Sequence, residues 1–242
     1  MDIMTYANFN IIDWHAISAG LDSKNAWLEW RENNFTWPEN EKAPVDKIPA
    51  MARRRMSSLS KLAVQTALTL AEENDIDYLV FSSRHGELTR TVALLEDILN
   101  GDDASPMAFS QSVHNTAAGL FTITAKKAIP VTSIAAGENT FHSAVVEAAA
   151  YLAENQNDKV LIIDFDEPLP SHYQEFEKQN YQGYAVGLIM SAGDVFSLQW
   201  NNKPTIKPSG LPHGLQCIAN LVGSHTQWIT ESFSKQWIWN RK

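Results

Sequence analysis

The stretch Val131–Leu152, "VTSIAAGENTFHSAVVEAAAYL", decides how the rest of the chain is read. Its first four residues form a short apolar run suited to a buried strand. Ala135 to Asn139 supply a glycine-containing turn, and an alanine-rich amphipathic run follows at helical spacing. Enzymes often place a nucleophile where a strand hands over to a helix, because the helix N-terminus favours negative charge. Here the turn holds Gly137, Glu138 and Asn139, with neither serine nor cysteine.

The same alternation recurs on both sides. "RRRMSSLSKLAVQTALTLAEEN" carries Leu59, Leu62, Ala63, Thr66, Ala67 and Leu70 at helical spacing. "DYLVFSSRHG" is a buried strand ending in a turn, and "ELTRTVALLEDILNG" a helix closed by glycine. "NTAAGLFTITAKKA" predicts a further helix, and "KVLIIDFDE" a strand buried on both faces. "FNIIDWHAIS" reads as a first strand and "NAWLEWRENN" as a short helix, followed by a proline-rich loop over 37–51. "YAVGLIMSAG" and "VFSLQW" predict a hairpin joined at Gly193-Asp194. The expectation is a mixed five- or six-stranded α/β sheet with helices on both faces. Residues 1–200 form that domain. Residues 201–242 read as a linker, a possible helix from Leu215 to Phe233 and an aromatic tail, "KQWIWNRK", packing on the domain.

Composition narrows the function. A length of 242 residues suits one domain with a substantial core. A formal net charge of -9 argues against nucleic acid as the main partner, since phosphate binding needs a basic face. The single cysteine, Cys217, leaves no intramolecular disulfide, which fits a reducing compartment. No apolar run is long enough to span a bilayer, and "MDIMTYANFN" lacks a signal core, so no membrane insertion and a cytoplasmic location are expected. None of the seven histidines falls in a ligand spacing such as His-x-x-x-His, so no metal site is expected.

Five segments resemble, in order, the N-terminal half of a β-ketoacyl synthase, which has the thiolase fold. They are "IPAMARRRMSSLSKLAVQTA", "LVFSSRHGELTRTVALLEDI", "SPMAFSQSVHNTAAGLFTI", "TSIAAGENTFHSAVVEAAAYL" and "KVLIIDFDEPLP". The resemblance covers roughly residues 1–200. In that family the fourth segment carries a nucleophilic cysteine in a context like T-A-C-[ST]-[SG]. The match puts Glu138 at that position, and a one-residue slip puts Gly137 or Asn139 there; no register gives a thiol. The second thiolase half, with its two catalytic histidines, is missing, and His213 in "LPHG" and His225 in "GSHT" stand in neither family context. The resemblance therefore implies a non-catalytic subunit of the chain-length-factor type, similar to the short subunit of aryl polyene biosynthesis.

Such a subunit pairs with a full-length β-ketoacyl synthase and helps shape the tunnel of the growing chain. It binds no cofactor of its own, its acyl groups arriving on the phosphopantetheine of an acyl carrier protein. The resemblance places His114, Asn115, Ala118 and Phe121, with the strand Val131, Thr132, Ser133 and Ile134, at the subunit interface and tunnel. It makes Phe121 the candidate tunnel floor. Arg53, Arg54 and Arg55 are the candidate landing site for the acidic helix of a carrier protein.

Plainer readings stand beside these. Glu138 equally suits a helix start, with Asn139 or Thr140 as the cap. The three arginines suit a solvated cluster, and His114 and Asn115 a buried polar pair and a cap. Trp228, Trp237 and Trp239 fit either a closed core or a partner surface. A stand-alone malonyl-thioester decarboxylase using Glu138, or an acyl- or carrier-protein-binding module, are the rival functions.

Overall fold

The computed structural model describes residues 5–202 and 210–242. β1 (Thr5–Ser18) is followed by α1 (Lys24–Glu32), α2 (Ala50–Arg53) and α3 (Ser58–Glu72). β2 (Tyr78–Ser82) leads through α4 (Leu88–Leu99), α5 (Pro106–Ser110) and α6 (Thr116–Ala125) to β3 (Val131–Ile134). Then come α7 (Thr140–Glu154), β4 (Lys159–Asp166), β5 (Tyr184–Asn201), α8 (His213–Val222), β6 (Gln227–Glu231) and β7 (Gln236–Arg241).

The strands form one seven-stranded mixed sheet in the order β3-β2-β4-β5-β7-β6, with β1 also paired to β5. β3, β2 and β4 are parallel, and β5 runs antiparallel to β4, β1 and β7. The near-continuous apolar run of β4 follows from burial on both faces. Val160 and Ile162 join the core beneath α7 and α8, while Leu161, Ile163 and Phe165 join the core beneath α3 and α6. α3 starts where the Ser57 hydroxyl accepts the Ser60 amide at 2.8 Å. α7 lays Ala144 and Ala148 flat on the sheet, both fully buried, and their small size lets helix and strands approach closely.

Three expectations need correction. The sheet has seven strands rather than five or six. Residues 184–201 are one strand, not a hairpin: both halves pair with β1, Tyr184 with Ser18 at one end and Trp200 with Thr5 at the other. The Gly193-Asp194 signal marks a bulge instead. Phe9 faces Phe196 while Asn10 faces Ser191, so residues 192–195 loop out. The Asn10 amide fills that loop, donating to the Ala192 carbonyl at 3.2 Å and accepting the Val195 amide at 3.1 Å. The helix expected over 215–233 ends at Val222, where β6 takes over after a turn, and the aromatic tail is β7. Trp237 and Trp239 alternate with outward residues along β7, and with Trp228 they are buried in the core. The linker expectation for 201–214 falls partly outside the described residues.

Candidate functional site

β3 runs into Ala135 and Ala136, a single 3-10 turn over Gly137–Asn139, and then α7. Gly137 has φ +58, a left-handed conformation that glycine adopts without penalty. The Thr140 hydroxyl ties the turn, accepting the Ala136 amide at 2.9 Å and donating to the Gly137 carbonyl at 2.7 Å. Neither Glu138 nor Asn139 caps α7 with its side chain. Both reach the loop between β6 and β7 instead. A Glu138 carboxylate oxygen accepts the Phe233 amide at 2.9 Å. Asn139 accepts the Trp237 indole N–H at 2.8 Å and donates to the Ser234 hydroxyl at 3.2 Å. The elbow is therefore built as an anchor for the β6–β7 hairpin, and it holds no thiol. Cys217 lies buried on α8, and burial pushes its thiol pKa up, which keeps it protonated and a poor nucleophile.

One turn further along α7 is a residue the sequence reading missed. His142 is fully buried, and its Nδ1 lies 3.0 Å from Nδ1 of His213. The Trp239 indole can only donate, so His142 Nε2, 3.0 Å away, accepts. His142 Nδ1 then carries the hydrogen and donates to His213, whose Nε2–H points to the Glu231 carbonyl at 3.2 Å. Trp237 stacks on His142 with centroids 4.6 Å apart. Burial holds both imidazoles below their ordinary pKa, His213 at about 4. A lone histidine inside the apolar run of a helix was the available signal.

A second buried polar group sits at the ends of β2 and β4. Asp164 accepts the hydroxyls of Ser82 at 2.8 Å and Tyr184 at 3.0 Å. Asp166 accepts the Ser83 hydroxyl at 2.7 Å and the Arg84 amide at 3.0 Å. Burial, reinforced by Asp166, lifts Asp164 to about 7, and burial lifts Asp166 to about 6. Among the described residues no group of histidines, cysteines and acids is arranged to hold a metal ion, and no helix is long and apolar enough to cross a membrane.

The other candidate residues are dispersed. His114 bonds through Nε2 to the Ser83 carbonyl at 2.8 Å, beneath the turn after β2. Asn115 is exposed at the start of α6 and makes no side-chain cap bond. Ala118 and Phe121 face this chain's own core, and the fully buried Phe121 ring lies 6.0 Å from Phe81. They present no surface to a partner; the exposed large apolar residue of α6 is Ile123, at 75%. Arg53 reaches the Val45 carbonyl, while Arg54 and Arg55 are exposed, and none of the three forms an ion pair among the described residues. β3 pairs with β2 on one flank only.

An open mixed sheet, parallel over β3, β2 and β4, with a strand–elbow–helix unit at its β3 border, is the arrangement of a thiolase-type α/β domain. The chain belongs to the β-ketoacyl synthase family: the model described as beta-ketoacyl synthase, N-terminal domain, matches residues 27–240. Among solved structures, it is similar to a chain from the ketosynthase (ApeO) in complex with its chain length factor (ApeC) from Xenorhabdus doucetiae. Identity is 30% over 97% of this chain and 99% of that one, with a TM-score of 0.88. Two more distant structures share the fold alone. The ishigamide ketosynthase/chain length factor is 14% identical, over 82% of this chain and 67% of that one, at a TM-score of 0.63. AntDE:AntF, a type II PKS acyl-carrier protein in complex with its ketosynthase bound to the hexaketide, is 10% identical over 98% and 100%, at 0.69. A search of curated proteins finds no match.

Proposed function

We propose that this chain is a non-catalytic subunit of the chain-length-factor type, pairing with an active β-ketoacyl synthase in polyene- or polyketide-type chain elongation. The observation that carries this is the elbow: it holds no thiol, Glu138, which the resemblance sets at the nucleophile position, is bonded to the chain's own hairpin, and the one thiol is buried elsewhere. Nucleophilic catalysis needs an activated, accessible group, which this elbow lacks. The solved complex that this chain resembles pairs a ketosynthase with its chain length factor, and the matched chain is covered over 99% of its length by one thiolase-type half.

The partner's place is the free flank of β3. The β2-to-β3 crossover exposes Leu99, Met107, Phe109 and Ile123, and Val131 is exposed on the strand itself. A bare edge beside exposed apolar side chains is a surface built to be covered. α6 borders the shared acyl tunnel in this reading, through Leu120 and Ile123, with Phe121 backing them from within and His114 and Asn115 at its start. Arg53, Arg54 and Arg55, without acidic partners among the described residues, receive the acidic helix of an acyl carrier protein bearing the acyl group on phosphopantetheine.

Co-expression with candidate ketosynthases followed by size-exclusion chromatography tests the reading. A 1:1 heterodimer is expected, with the chain alone poorly soluble. A monodisperse monomer with no affinity for any such synthase overturns it.

A further inference from the structure

α8 buries an apolar face on the core, and its first two residues, also buried, make two further contacts that respond to protons in opposite senses. His213, the first, belongs to the imidazole chain running from Trp239 through His142 to the Glu231 carbonyl. That chain exists only while both rings are neutral. A proton added to His213 would set two N–H groups against each other at the 3.0 Å Nδ1–Nδ1 contact. A proton on His142 Nε2 would oppose the Trp239 N–H. Besides each other, the charged group facing these rings is Arg84, which further disfavours a proton on His213.

Gly214, the second, lies against the Asp164 carboxyl so closely that a Cβ there would stand 2.4 Å from Oδ2. Facing Asp164 are Ser82 from β2, Tyr184 from β5, Cys217 from α8, Asp166 from its own strand and Arg84 from the turn after β2. Asp166 is the better furnished for charge, since a hydroxyl and a backbone amide donate to it. Asp164 receives hydroxyls only, and no first-turn amide of α8 donates to it among the described residues. Under α8, Asp164 is thus the carboxyl that keeps its proton.

We propose that α8 and the β6–β7 hairpin form a clamp with opposed proton linkage: when it lifts, His142 and His213 take up protons while Asp164 releases one. The signs follow from the shifts. The imidazoles, lowered from 6.5, stabilise docking above that value and lose this as pH falls toward about 4. Asp164, raised from 3.8, stabilises docking at low pH and loses this as pH rises toward about 7. Between about pH 4 and 6.5 the two oppose, so docking of the native module is flattened against pH.

Hydrogen exchange of the peptide covering α8, corrected for intrinsic rates, reads the opening constant of the clamp from pH 5 to 6.5. Reactivity of the Cys217 thiol, normalised to free cysteine, reads it independently. Native protein should show a shallow slope. Asp164→Asn should leave the imidazoles unopposed, so that opening falls with rising pH more steeply than native, by up to about tenfold per pH unit. His213→Gln should tilt the slope the other way, and His142→Gln serves if that variant does not fold. Slopes in Asp164→Asn and in the foldable histidine variant that superimpose on native by both readouts overturn the clamp.

Discussion

β1 and β3 both run along a border of the sheet with one flank paired and the other open, yet they treat that open flank differently. β1 is long and would make a ready template for a second chain, and it is broken twice. Ile12 is bulged out between the Ile11–Met190 and Asp13–Ile189 pairs, and the register jumps again between Phe9 and Asn10. Asp13 stands mid-strand, its carboxylate taking the Trp14 amide at 2.8 Å and pairing with Lys24 at 3.4 Å. Bulges and a charge are the usual protections of an exposed edge. β3 has neither: its four residues pair in unbroken register with β2 and carry no charge. The Leu79 and Ser83 amides donate to the carbonyls of Pro130 and Ile134, so the alternation of the ladder turns the backbone N–H and C=O groups of Val131 and Ser133 toward the open flank. In the proposed reading the flat, uncharged β3, rather than the guarded β1, is the border that a partner completes.

The largest effect should come from beneath the open edge. Phe121→Ala removes a fully buried ring from between α6 and the sheet. It should cost about 3–5 kcal/mol, which lowers the unfolding midpoint by roughly 6–20 °C. Thermal unfolding by circular dichroism measures this. A loss under 1 kcal/mol would show that α6 is not what holds the edge in place.

Next comes the edge itself. Val131→Lys changes a side chain that is half-exposed in the free chain, so the fold should stay within about 0.5 kcal/mol of native. In the complex the ammonium would lie in a desolvated contact, and affinity for the synthase should drop about a hundredfold, near 2.7 kcal/mol. Titration calorimetry or sedimentation gives the number. Unchanged affinity would remove β3 from the interface. At the guarded edge the reverse applies. Deleting Ile12 together with Asp13→Val removes one of the two breaks and the mid-strand charge, and self-association should strengthen about tenfold, near 1.4 kcal/mol. Sedimentation velocity over a concentration series checks it, and native-like behaviour would mean that something other than the bulge and the charge protects β1.

Much of this architecture was legible because it is written in local periodicity. α3 and α7 show the helical repeat, β4 the unbroken apolar run, and the elbow is visible as a glycine turn between β3 and α7. What escaped depends on contacts across the sequence. Gly193-Asp194 reads as a turn until Asn10, more than 180 residues away, fills the bulge. β7 escaped because its alternating tryptophans sit at a chain end, where an isolated strand has no visible partner. α5 escaped because five residues carry no periodicity. That the turn holds no thiol was legible from residue identity alone, but the contact Glu138 makes was not, since Phe233 lies 95 positions on. His142 and His213 likewise make sense only as a pair.

The smallest effect concerns the elbow that ends the open edge. Glu138→Ala removes one acceptor from the Phe233 amide, 2.9 Å away in a partly exposed contact. A charged acceptor is worth more than a neutral one when buried, but water takes up the freed amide here. The loss of stability should be no more than about 1 kcal/mol. Asn139 continues to hold Trp237 and Ser234, so the hairpin stays in register. If the elbow is an anchor, condensation by the assembled complex should stay within about twofold of native, a barrier change near 0.4 kcal/mol. Intact-mass spectrometry after incubation with a thioester donor should find no acyl group on this chain. An adduct here, or loss of activity in Glu138→Ala with the heterodimer intact, would give the carboxylate a chemical role. It would also make the open edge a route for substrate as well as a contact for the partner.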